Sequence, residues 1–224
     1  MVDLFSTSST LQECLEQSRI LLVDTYDNEP TTSFSDSFWS SISSSHNHDF
    51  STSIVDSLLQ KICFLSSTND SNGSNTSLSV DDTAAIRSIA LFIRDMSLLN
   101  PNICHILLLH FPKLRDPLPF IELMPSMFAV SSNSLVDNCV NHLFSKLEAS
   151  SDRSNLLLPI ISALMSLPLS DKYKPQLSQL VKISMKIVNE SDFPILFKVL
   201  LKSVDRINVD QVVLIFREEV TGEQ

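Results

Sequence analysis

Residues 81–111 read DDTAAIRSIALFIRDMSLLNPNICHILLLHF. Ile86, Ile89, Ala90, Ile93 and Met96 fall at helical spacing before the Asn100-Pro101 step, and a second apolar run continues from Pro101 to Phe111. Proline fits the first turn of a helix and keeps the residue before it out of the helical region, so this step ends one helix and opens its return partner. The stretch reads as a helix pair, with Asp81 or Asp82 as the expected N-cap.

The same punctuation recurs near Pro117, Ser154 and Ser191, an interval of about 37 residues that suits a two-helix solenoid unit. Pro117 and Pro119 open a second pair, with Phe120, Leu123, Met124 and Phe128 inward and a partner over 133–147. A third begins near Ser154 with Leu157, Ile160, Ile161 and Leu164, stops at Pro168 and returns over 173–188. Ser191 or Asp192 caps a fourth, with Pro194 in its first turn and Leu196, Val199 and Leu200 behind it. Asn208 and Gln211 then cap a last helix through Val212, Ile215 and Phe216. A unit of this kind cannot bury its own apolar face and must stack on neighbours. The expected fold class is all-α, an α-solenoid of stacked antiparallel helix pairs of the HEAT/ARM kind, with about four pairs over residues 81–224. The last apolar face has no evident capping repeat, so the chain is expected to belong to something longer.

Residues 1–80 read as an irregular N-terminal region. A helix over 10–26 carries Leu11, Leu15, Ile20 and Leu22, with Thr10 and Glu13 in capping-box spacing, and Glu29-Pro30 ends it. Residues 33–50 mix Phe34, Phe38, Trp39 and Phe50 with serines, and periodicity does not decide between a helix and an ordered loop. A helix over 53–65 runs through Ile54, Leu58, Ile62 and Leu65. Residues 66–79 (SSTNDSNGSNTSLS) have almost nothing to bury and are expected to form a disordered loop, inserted between helices.

Composition narrows the alternatives. Two glycines in 224 residues leave few positions for the positive-φ turns of hairpins, which argues against an all-β fold. A formal net charge of −10 argues against the whole chain as a free-standing nucleic-acid binder, because neutralising phosphates needs clustered Lys and Arg. Basic residues do gather late in the chain. Lys198, Lys202 and Arg206 share one helical face, read first as a solvated outer face and second as a phosphate or partner contact. Cys14, Cys63, Cys104 and Cys139 are far apart with no metal spacing, so free buried thiols in a reducing compartment are expected. The first residues do not resemble a signal peptide, and no apolar run is long enough for a bilayer.

Candidate chemistry is sparse. His105 and His110, with Cys104 beside the first, suggest a metal or Cys-His pair, but five residues turn about 500° on a helix and point the rings apart. Packing or surface roles are the better reading for these, and His46 and His48 sit in a polar segment. Glu218 and Glu219 diverge by about 100° on a helix. The pair Ser178-Gln179 is a minimal damage-kinase target that also recurs by chance. No Gly-rich phosphate loop, H-E-x-x-H or G-x-S-x-G is present. No catalytic, cofactor-binding or metal residue is assigned, and the chain reads as a non-enzyme.

Three segments carry a family likeness: residues 88–114 (SIALFIRDMSLLNPNICHILLLHFPKL), 158–170 (LPIISALMSLPLS) and 192–220 (DFPILFKVLLKSVDRINVDQVVLIFREEV). Together they resemble the N-terminal helical solenoid of the Fanconi anaemia group D-two family, and the paralogous group I family, with the same helical plan, is the second choice. Residues 1–80 match only weakly, and the basic nuclear-import cluster of that family has no counterpart before Asp81. The resemblance implies a nuclear scaffold for interstrand crosslink repair that pairs with the group I paralogue and meets a ubiquitin-ligase core complex. It also implies that the full-length family member clamps duplex DNA and is locked by one ubiquitin on a lysine beyond the matched segments. An α-solenoid adaptor for protein partners, unrelated to DNA repair, is the alternative.

Overall fold

The structure, a computed structural model, describes residues 5, 9–26, 48–68, 79–149, 153–187, 192–202 and 217. Among these, 87% are helical and none lies in a strand, so the chain is all-α. It falls into two compact units, Met1–Met127 and Phe128–Gln224. The division lies inside the expected second pair, between its two helices, and residues 1–80 share a unit with the first expected pair.

In the first unit, α1 (Leu11–Tyr26) starts at a reciprocal capping box. The Glu13 amide donates to Thr10 Oγ1 at 3.2 Å, and the Thr10 amide donates to Glu13 Oε2 at 2.8 Å. Its buried face is Leu11, Cys14, Leu15, Ser18 and Leu22, a three-four rhythm. Ile20, expected inward, is 57% exposed, because nine positions after Leu11 turn a helix by about 900°, or half a circle away from the core. Helix α2 (His48–Thr68) is longer than the sequence suggests at both ends, and buries Ile54, Val55, Leu58, Leu59 and Ile62. It takes in residues 66–68 of the stretch expected to be a loop, since a helix held on one face by packing can run on through poor helix formers. Residues 69–78, like the 33–47 aromatic segment, lie outside the described residues.

Helix α3 (Val80–Leu99) is capped by Ser79 and not by either aspartate. Ser79 Oγ accepts from the Asp82 amide at 3.0 Å and donates to the Asp82 carboxylate at 2.7 Å, so Asp82 is the third-position partner of the cap. Ile86, Ile89, Ala90, Ile93 and Met96 are buried as expected. At the corner, Asn100 is extended and its amide donates to the Met96 carbonyl. Its side chain has no exposure, accepting from the Asn102 amide at 3.1 Å and donating to Ser51 Oγ at 2.9 Å. That carboxamide replaces solvent at a helix end and ties the corner to α2. Helix α4 (Asn102–His110) follows, passing into a 3₁₀ turn (Phe111–Lys113). Helix α5 (Leu118–Met127) opens with its first amide on Asp116 Oδ1 at 3.2 Å and buries Phe120, Ile121, Met124 and Met127, while Leu123 is only half-buried. Neighbours in sequence pack together, and so do alternate helices: α1 on α3, α2 on α4, α3 on α5.

The second unit begins at buried Phe128 and turns into α6 (Asn133–Ala149), whose core face is Leu135, Val136, Cys139, Val140, Leu143 and Leu147. Helix α7 (Arg153–Ser166) buries Leu157, Ile160, Ile161 and Leu164, as expected, together with Leu156 and Ala163. A 3₁₀ turn (Asp171–Tyr173) leads into α8 (Lys174–Ile187), which buries Leu177, Leu180 and Val181. In α9 (Phe193–Lys202) Leu196 and Leu200 are buried, with Val199 half-buried. Helix α7 is central: α6, α8 and α9 all pack against it. The final helix expected through Val212, Ile215 and Phe216 lies outside the described residues.

Candidate functional site

The structure separates the residues that the sequence put side by side. Cys104 is buried with its sulfur 3.5 Å from the Met127 carbonyl oxygen, while His105, about 100° further round α4, is exposed. His110 turns instead to α2, where its Nε2 lies 2.7 Å from Asp56 Oδ1. Gln60 Nε2 donates to the other oxygen of that carboxylate at 2.7 Å. The other ring nitrogen, Nδ1, is buried and has no hydrogen-bond partner among the described residues. This chain of side chains fastens α4 to α2 and presents no nucleophile.

None of the four cysteines forms a disulfide. Burial pushes the Cys14 thiol up, with Lys61 acting in the opposite direction, which leaves it a poor source of thiolate. Ser178 lies within α8 with its hydroxyl donating to the Lys174 carbonyl at 2.9 Å. Lys198 is exposed on α9. His46, Arg206, Glu218 and Glu219 lie outside the described residues, and of His48 and Lys202 only the helix backbone is described. Among the described residues no group of three or more His, Cys, Asp or Glu could hold a metal ion. No helix among them is long and apolar enough to cross a membrane.

The second unit holds a polar clamp that sequence reasoning missed. Asp137, on the second turn of α6, receives Lys172 Nζ on Oδ2 and the Tyr173 hydroxyl on Oδ1 at 2.9 Å. The Lys172 ammonium also stands 4.9 Å from the Tyr173 ring centre, near enough for a cation–π contact. The lysine's hydrogen bond, seconded by the tyrosine's, holds the Asp137 carboxyl below its ordinary range. The same bond holds the Lys172 ammonium above its own. Burial, then the neighbouring carboxylate, pushes the Tyr173 phenol up.

Beyond the clamp lies a groove of about 580 Å³, inside the size range of small-ligand and peptide sites. One wall is α6, with Asn141, Phe144, Ser145 and Glu148; the other is α8, with Gln176, Gln179 and Ile183. Leu147, Leu157 and Leu180 form its buried floor. The starts of α6 and α8 meet at the clamp and their later turns face each other across the groove, so the two helices run in the same direction. Among the described residues each packs on α7 rather than closely on the other, which leaves the space open. Asn141, Gln176 and Gln179 are exposed amides that can donate and accept at once.

No protein-family model, curated protein or solved structure matches the chain.

Proposed function

We propose that the chain is a non-enzymatic α-solenoid scaffold built of stacked antiparallel helix pairs. The observation that carries this reading is the spacing of its polar ties. Arg87 of α3 meets Glu122 of α5 at 3.4 Å, 35 residues on, and Lys172 meets Asp137 across the same separation of 35. The first tie joins alternate helices and the second joins α6 to the 3₁₀ turn that leads into α8, and the separation is close to the interval at which helix starts recur in the sequence. In a stack of helix pairs, a residue's lateral neighbour is its equivalent one repeat away. The packing of α1 on α3, α2 on α4, α3 on α5 and α7 on α9 supports the same order.

Within that scaffold reading, the family proposed is the Fanconi anaemia group D-two family, with group I second, and it rests on the three quoted segments alone. The chain would then act in the nucleus in interstrand crosslink repair, pairing with the group I paralogue. With a net charge of −10 in this chain, the reading leaves duplex DNA contact to other parts of a full-length family member. The test is affinity capture of the tagged full chain from nuclei of crosslinker-treated cells, scored for the group I paralogue. Its recovery above a charge-matched helical control supports the reading. Recovery of trafficking or cytoskeletal proteins without it would replace the reading with a general adaptor, a second reading that the amide-lined groove favours.

A further inference from the structure

We draw no further inference here: the strongest candidate, the groove between α6 and α8 above the floor of Leu147, Leu157 and Leu180, carries none because nothing in the structure shows what covers it.

Discussion

Asn100→Ala removes a fully buried carboxamide at the α3–α4 corner, and the structure sets the cost. The substitution removes Nδ2 to Ser51 Oγ at 2.9 Å, 49 residues away, and the Asn102 amide to Oδ1 at 3.1 Å. A buried hydrogen bond contributes about 1–1.5 kcal/mol net, and the second also serves the first turn of α4, where losing a cap costs about 1 kcal/mol. Together these give about 2–3 kcal/mol, or about 5–10 °C in the thermal midpoint of a chain this long. Urea denaturation followed by far-ultraviolet circular dichroism measures it. The decisive form is a double-mutant cycle with Ser51→Ala, because the Asn100–Ser51 bond is removed by either substitution. A coupling of about 0.5–1.5 kcal/mol is expected. A cost for Asn100→Ala under about 0.5 kcal/mol, or strict additivity with Ser51→Ala, would refute the claim that this corner is locked to α2.

Other parts of the structure give independent tests. Leu200→Asp should destabilise the chain by about 3–5 kcal/mol through a carboxylate buried against α7, whereas Val130→Asp, at an 84% exposed turn position, should stay within about 0.5 kcal/mol; equal effects in urea melts would contradict the core. Ser79→Ala should cost about 1 kcal/mol as a lost N-cap, with Asp81→Ala clearly milder, and the reverse order would return the cap to the aspartates. The clamp should show in pH-dependent stability with opposite limbs. Because the Asp137 carboxyl is held below its ordinary range, its contribution is present above about pH 4 and lost as pH falls through the depressed value. Because the Lys172 and Tyr173 protons are held more tightly in the folded chain, theirs is present below about pH 10 and lost as pH rises further. The midpoint difference between wild type and Asp137→Asn should therefore vanish in acid, and a difference constant with pH would remove the clamp from the account.

What the sequence made legible follows from what is local. The Asn100-Pro101 step, the Thr10 and Glu13 capping box and the apolar rhythm of α3 and α7 each depend on a few adjacent residues, and each is found where expected. Ile20 was misplaced because a count of apolar residues ignores their angle around the helix, and it is exposed opposite Leu11. Ser79 was overlooked because it closes a polar tract, where a serine carries no signal until the helix behind it is seen. The clamp joins α6 to the turn that precedes α8, and the groove lies between those two helices, pairings far apart in sequence that periodicity within one helix does not report. Asp137 and Lys172, like Asn141 and Gln176, stand 35 residues apart, a separation that no reading of a single helix picks out.

Zero-length carbodiimide coupling of the native chain, read by mass spectrometry, tests the alternate-helix stack most directly. Lys174 and Asp171, 2.9 Å apart within one turn, serve as the local control. With that pair coupled, the stack predicts a Lys172–Asp137 linkage in wild type and a linkage between positions 87 and 122 in Arg87→Lys, each bridging 35 residues of sequence. Efficient coupling of the control with neither long-range linkage would contradict it.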